Sequence, residues 1–381
     1  MCCAGSGPEL ALTNSHPVKI LANELVGVCV RSLMEAGVSE PDARITAEVL
    51  VLADSWGIST HGLVNLPGYL RRIRSGGIRG TGRPRITAEG PAWAVVDGDS
   101  ALGMVGAVFA MSTAIRKARA CGVAYTGLRN TCHLGAVGCY AVMAAREGMI
   151  GIAMANDTPT VNAPGAAGPV FGSNPLSFAA PAGDEPPLLL DIATSTVAGA
   201  KVLRAAERRI PIPPDWVVTA GGQSTTDPGA FASFPHRGAL TPMAAHKGYG
   251  LAFAIETLTS VLTGANVIRT VASWSFSDPC LSTGHSAAFL VLDCGAFPSA
   301  PKFQDNLCML IREVRGLPRS SGAARICVPG EMEWECHARG TTEGIELAPE
   351  AAVVFNQLRQ RLSPANLSPV GNSAGSPAAL H

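Results

Sequence analysis

Apolar residues at helical spacing open the chain. Leu21, Leu25, Val28 and Leu33 place one apolar face on a helix over Val18 to Ala36, stopped by Gly37. Ser39-Glu40-Pro41-Asp42 starts a second helix through about Ala53, with Ser39 as N-cap and Pro41 tolerated in the first turn. A third helical stretch surrounds Leu66 to Ile73 and ends at Gly76-Gly77. The pattern then turns to short β-rich runs at Trp93–Asp97 and Gly122–Thr126, separated by an Ala-rich helix over Gly103 to Ala120. A helix over Gly135 to Glu147 precedes a buried strand at Ile150 to Ala155. Leu188 to Asp191 and Ala287 to Asp293 read as strands. Gly248 to Leu262, Lys302 to Arg315 and Glu350 to Leu362 read as helices. Helices at both ends around a strand-rich middle predict an α/β protein whose terminal segments pack together.

Two segments resist this reading. Residues 156–175 are rich in Gly, Pro and Asn, and too long for an ordinary connection, which points to function. A polar connection runs from Arg208 to His236. Residues 1–16 read as a loose leader and residues 363–381 as a disordered Ser/Pro/Ala-rich tail.

Composition narrows the class. The chain has 381 residues, 47% of them hydrophobic and only 15% charged, so it is a packed globular protein with room for two or three domains. Its formal net charge of zero gives no broad drive toward nucleic acid. Apolar runs break well before the ~20 residues of a membrane span. The 11 cysteines are scattered and none forms C-x-x-C, as expected of reduced thiols in a cytoplasmic compartment. No G-x-G-x-x-G follows a strand, which argues against a standard Rossmann dinucleotide site. There is no Walker A sequence, no H-E-x-x-H and no paired Cys/His spacing, so no metal site is expected.

The candidate chemistry centres on two histidines. His61 sits in Ser59-Thr60-His61-Gly62 and His133 in Asn130-Thr131-Cys132-His133-Leu134-Gly135. Imidazoles titrate near neutrality and suit proton transfer. The helix following His133 would offer free N–H groups to an anion. In Lys247-Gly248-Tyr249-Gly250, a lysine beside two glycines suits an anionic ligand approaching the backbone. Asp191-Ile192-Ala193-Thr194-Ser195 projects a carboxylate and hydroxyls from a strand end, where they suit a ligand or a helix cap equally, and Gly172-Ser173-Asn174-Pro175 forms a tight turn.

Taken in order, these motifs resemble the malate/L-lactate dehydrogenase-type family of NAD(P)-dependent oxidoreductases. That family includes ureidoglycolate, sulfolactate and diketogulonate dehydrogenases and piperideine- and pyrroline-carboxylate reductases. The likeness covers about residues 18–362. It runs from Ala53-Asp54 through His61-Gly62 to Tyr69, then Asn130 to Gly135, then the 172–175, 191–195 and 246–250 motifs. Val328-Pro329-Gly330-Glu331 and Gly344-Ile345 close it.

The resemblance implies a non-Rossmann α/β fold, with a helical domain from both termini (17–76 with 318–362). An αβ cofactor domain (77–125 with 235–317) and an inserted αβ domain (126–234) would complete the cleft. It implies NAD or NADP as cofactor, a homodimer, and a small 2-oxo or 2-hydroxy acid, or a cyclic imino acid, as substrate. A dimeric scaffold of the same fold with weakened activity is the further alternative. His61 and His133 take the proton-transfer positions. Thr60, Asn65 and Tyr69 fall on the substrate side. Asp191, Ile192, Ala193, Thr194, Ser195, Lys247, Gly248, Pro329, Gly330 and Glu331 fall on the cofactor side. Two positions depart from the pattern. Asn65 stands where many members carry an arginine suited to gripping the substrate carboxylate, and an amide is no bidentate cationic clamp. Either Arg71, Arg72 or another cation substitutes, or the substrate differs, or activity is weak. Trp56 replaces a basic residue common in the family.

Overall fold

The computed structural model describes residues 19–233, 235 and 237–362; the expected leader (1–16) and tail (363–381) lie outside these. The centre is a seven-stranded mixed sheet. Its spatial order is Arg85–Gly90, Trp93–Asp97, Val123–Thr131, His285–Asp293, Met149–Ala155, Leu176–Ala182 and Glu185–Ile192. Only Trp93–Asp97 and Val123–Thr131 run parallel, and the helix Gly103–Cys121 makes the crossover between them. Every other neighbouring pair in this sheet is antiparallel. The helix Gly138–Arg146 packs on Met149–Ala155 and Leu176–Ala182. A single large apolar cluster then joins the sheet face to the terminal helices.

The two ends of the described chain do meet. Lys19–Ile20 pairs antiparallel with Ile345–Glu346. Ala22–Glu35 contacts Pro349–Arg361, and Glu40–Ser55 contacts Glu331–Glu343. Trp56 has left any polar role: it is buried and meets Trp334 edge-on at 5.5 Å between ring centres.

The two irregular segments fold against each other. Val161–Asn162 and Pro169–Phe171 from the first join Val217–Val218, Ser224–Thr225 and Ala239–Leu240 in a five-stranded sheet. Its own small core holds Val161, Val197, Val202, Ile212, Val217, Phe231 and Leu240. Strands of two or three residues show no alternation, so the pattern could not announce them.

Several boundaries move. The strand expected at 122–126 continues to Thr131, so the expected domain boundary at 125/126 falls inside a strand. The helix expected from Gly135 starts at Gly138. The helix expected over 248–262 runs His246–Glu256, then widens into a π-turn at Thr257–Val261. The strands Arg85–Gly90 and Leu176–Ala182 and the helices Gly199–Glu207 and Glu331–Glu343 are additional. Among the described residues no helix is long and apolar enough to cross a membrane.

Candidate active site

The first histidine lies in the turn between two helices, Glu40–Ser55 and Leu66–Ser75. Asp54, at the end of the first, accepts from the Leu63 N–H at 2.8 Å and ties the turn back. The approach is so close that a Cβ at position 62 would lie 2.0 Å from Asp54 Oδ1, so only glycine fits after His61. Burial pushes Asp54 up to about 7, against the pull of the Leu63 N–H. Within the turn, Thr60 Oγ1 meets His61 Nδ1 at 2.9 Å, and Asn65 Nδ2 donates to the Thr60 carbonyl at 2.9 Å.

The second histidine follows the strand Val123–Thr131 by two residues. Its ring stacks on His61 with 5.6 Å between centres and 24° between planes. Tyr69, fully buried on the helix Leu66–Ser75, places its hydroxyl 2.7 Å from His133 Nδ1. Among the described residues neither Nε2 atom of the pair has a hydrogen-bond partner. Trp274 stacks on His133 at 4.5 Å and on Tyr69 at 5.3 Å. Thr60, His61, Asn65, Tyr69 and His133 therefore converge.

Electrostatics separate the two imidazoles. Burial, then the neighbouring His61, push His133 down to about 3, with Asp157 opposing. His61 is lowered by burial and supported by Asp157. A hydroxyl that donates to His133 Nδ1 leaves that ring neutral with its proton on Nε2.

Asp157 was not among the residues singled out in the sequence. It accepts from Thr158 N at 2.7 Å and meets His285 Nε2 at 3.2 Å; His285 Nδ1 in turn meets Thr283 Oγ1 at 2.9 Å. Burial raises Asp157. The His285 hydrogen bond and charge, the charge of His133 and the Thr158 N–H together outweigh that and hold it below the ordinary carboxylate value. Asn174 Oδ1 accepts from Asp157 N, while its Nδ2 donates to Ala252 O and Glu256 Oε2. Asn174 is thus the buried tie between this pocket and the helix His246–Glu256.

That helix brings the second group of residues together. Thr194 donates from N and Oγ1 to Ser173 O, and Met243 N donates to Thr194 O. At Gly248 a Cβ would lie 2.6 Å from both Met243 O and Thr194 O, so glycine lets these backbones touch. Ala244 and Ala245 take φ of 45° and 54° just before the helix, turning the chain sharply to present Lys247. Lys247 is exposed; its backbone N donates to Ala244 O, and its ammonium has no hydrogen-bond or ion-pair partner among the described residues. Ser195 Oγ donates to Val197 O. Ile192 ends its strand opposite Leu176, and Ala193 follows it into the turn.

Several of the singled-out residues have partners within the chain. Asp191 Oδ2 accepts from Gly138 N at 2.9 Å, so the helix start after His133 already holds an internal carboxylate, which burial pushes up to about 7. Pro329, Gly330 and Glu331 pack on the strand Glu185–Ile192. There Pro329 O accepts from Leu189 N, and Glu331 meets Arg315 and Arg325. Arg71 and Arg72 do not replace the missing clamp. Arg71 is exposed, and the buried guanidinium of Arg72 donates to five loop carbonyls.

Neither of two surface cavities is lined by the histidine pair. One of about 580 Å³ lies between the small sheet and the start of the helix His246–Glu256, lined by Asn162, Thr196, Asp215 and Ala244 among others. One of about 260 Å³ lies between Pro187, Arg315, Pro329 and Trp334.

Two stacked imidazoles and a tyrosine hydroxyl thus meet on a mixed-sheet α/β scaffold, groups whose chemistry suits acid–base transfer. The comparisons with known proteins specify it. The family model described as malate/L-lactate dehydrogenase matches residues 20–355. A malate dehydrogenase of Pyrococcus horikoshii is 32% identical, covering 93% of this chain and 98% of its own length. A ureidoglycolate dehydrogenase (NAD(+)) of Escherichia coli O157:H7 is 35% identical, covering 87% and 93%. The crystal structure of malate dehydrogenase from Entamoeba histolytica superposes with a TM-score of 0.85 at 26% identity, covering 91% and 98%. The chain belongs to the malate/L-lactate dehydrogenase family and is an oxidoreductase with that fold.

Proposed function

We propose that this protein interconverts a small 2-hydroxy acid and its 2-oxo acid with NAD or NADP, and that His61 moves the proton. The stacked His61–His133 pair, with Tyr69 on the second ring, carries this reading. The residues present suit a nicotinamide cofactor: Lys247 offers an uncommitted ammonium for phosphate or carboxamide, beside the 191–195 turn and Gly248. Pro329, Gly330 and Glu331 would border it from the edge strand. A bound NAD(P) supplies two-electron hydride chemistry.

The chain's own work is to orient the substrate and move the proton. As a carbonyl is reduced, its oxygen gains negative charge and needs a proton. His61 Nε2 supplies it and takes it back in oxidation, while Thr60 fixes the other ring nitrogen. His133, kept neutral by burial, donates a hydrogen bond from Nε2 and orients the carbonyl. Tyr69 sets its tautomer. Asp157 stabilises His61 when it carries the proton.

A panel of pyruvate, oxaloacetate, larger 2-oxo acids and a cyclic piperideine-carboxylate, each with NADH and NADPH, tests the assignment. Turnover of a 2-oxo acid supports it. Turnover of the cyclic imine alone moves the protein to the reductase branch. No change in cofactor fluorescence on mixing would leave only a scaffold. The family reading also includes a homodimer, checked by size-exclusion chromatography, and a reducing cytoplasmic setting, which nine unpaired cysteines among the described residues fit.

A further inference from the structure

Arg72 is fully buried, yet its partners are all main-chain oxygens of one distant loop. Nε donates to Trp274 O, Nη1 to Leu281 O at 2.9 Å and Asp278 O at 3.5 Å, and Nη2 to Ser273 O at 2.8 Å and Ser277 O at 3.2 Å. A guanidinium has five N–H donors in a rigid fork, and here they address five carbonyls of residues 273–281. That segment has no regular hydrogen-bonded structure of its own beyond isolated turns, so Arg72 stands in for a sheet or helix ladder.

The loop carries Trp274. Its indole lies nearly parallel to His133, at 4.5 Å and 17°, and to Tyr69, at 5.3 Å and 22°. It therefore covers the 2.7 Å contact between Tyr69 Oη and His133 Nδ1. Tyr69 and Arg72 are three residues apart on the helix Leu66–Ser75 and share a face. At Gly68, just before Tyr69 on the same helix, a Cβ would lie 3.0 Å from Trp274 Cζ3. One short helix thus supplies the phenol that addresses His133 and the cation that holds the aromatic cover over both. Beyond the indole the loop is partly exposed, Leu281 more than Phe276.

We propose that Trp274 is the wall that sets which substrates reach the histidine pair, and that Arg72 is the positioning residue that holds this wall in place. The proposal rests on the histidine pair being the reaction site. The wall excludes 2-oxo acids with bulky side chains and admits small ones. Arg72 acts through the loop and does not touch the substrate.

The test compares kcat/KM for pyruvate with that for phenylpyruvate, using the full-length protein with the better of NADH and NADPH. Removing an indole should raise the bulky-to-small ratio by at least about 10-fold in Trp274→Ala, the scale at which pocket-filling groups discriminate substrates. Trp274→Phe should keep most of the original ratio. Arg72→Lys cannot address five carbonyls. It should shift the ratio in the same direction as Trp274→Ala and expose the 273–281 loop to limited proteolysis. On a Trp274→Ala background Arg72→Lys should change the ratio no further, because both act through one group. A uniform fall in Trp274→Ala with the ratio unchanged overturns the wall. An additive further change in the double variant, or an Arg72→Lys protein with wild-type ratio and protease resistance, overturns the positioning role. If Arg72→Lys does not fold, the Trp274 variants still decide the wall, because Trp274 lies in a partly exposed loop. Quenching of tryptophan fluorescence by the same two acids reads the ratio as binding where turnover is slow, and binding of neither acid by the wild type overturns the wall. A ratio shift in Trp274→Ala together with full activity in His61→Ala would leave the wall standing and remove His61 as proton carrier.

Discussion

Asp157→Asn isolates charge from geometry in the proposed proton site. The amide keeps an oxygen to accept from Thr158 N, which lies 2.7 Å away, and remains able to meet His285 at 3.2 Å. What disappears is the negative charge that supports a proton on His61 against burial. An opposite charge in a site of this kind shifts a pKa by roughly 1–3 units, and each unit is worth about 1.4 kcal/mol. His61 already titrates below its ordinary value because it is desolvated. The sign is therefore plain: without Asp157 its pKa falls further, and the protonated fraction at neutral pH shrinks. The assay is kcat/KM against pH in the direction of carbonyl reduction. The free enzyme should show activity declining as pH rises through the pKa of the acid, below 6.5 in the wild type. In Asp157→Asn that limb should move down by about one unit or more. Thermal melting confirms that the variant is folded. A folded Asp157→Asn enzyme with an unmoved limb would refute the argument, because either His61 is not the acid or Asp157 does not govern it.

Other outcomes follow from the same geometry. His61→Ala should lower turnover at least ~10²-fold with the fold intact, as for a lost general acid; His133→Ala should cost a comparable amount through lost orientation, and normal turnover in both would end the mechanism. Lys247→Ala should weaken NAD(P)H binding by ~1.5–3 kcal/mol in a fluorescence titration; reduced substrate affinity with unchanged cofactor affinity would move the lysine to the substrate side. Asn65→Arg should lower the Michaelis constant for pyruvate by about tenfold; a uniform loss across the substrate panel would show that the carboxylate is already held elsewhere. For Asp54, the folded pKa of about 7 lies above the unfolded value, so its contribution to stability declines as pH rises from about 4 to 7. Asp54→Asn keeps an acceptor for Leu63 N and should flatten that decline in melting temperature; an unchanged slope would show that Asp54 is ionised at no cost.

The sequence pattern was most readable where burial is periodic. The helices at 22–35, 40–55, 103–121 and 349–361 each carry an apolar stripe and a stop signal, and they form close to where the pattern places them. Glu331–Glu343 escaped because its stripe is thin. It docks through Trp334 Nε1 to Pro187 O and through the Ser55–His337 contact, which join residues far apart in sequence. Leu176–Ala182 escaped because small residues fill both faces of a central strand. In the site, residues marked by local glycines and hydroxyls stood out: Thr60, His61, His133 and Lys247. Asp157 did not: the 156–175 stretch around it pointed to function as a whole, but nothing singled out that carboxylate. Its meaning comes from His285, 128 positions later. Arg72 was visible as a cation but misread as a substrate clamp, since its acceptors are carbonyls 201 to 209 residues away.

The fate of the missing arginine ties these points together. The position four residues after His61 holds an amide, and its Nδ2 closes the histidine turn on Thr60 O. Arg71 faces solvent. Arg72 faces inward, but every acceptor it has belongs to the loop that carries Trp274. The charge that does reach the imidazoles is the carboxylate of Asp157, and it acts on the proton. On the proposed reading, a substrate carboxylate here would meet neutral donors, and neutral hydrogen bonds are about half as strong as charge-assisted ones. Discrimination between acids then falls less on their common carboxylate and more on the shape of what is attached to it. In this protein that shape is read against an indole, held by the arginine that elsewhere in the sequence looked free to bind the substrate itself.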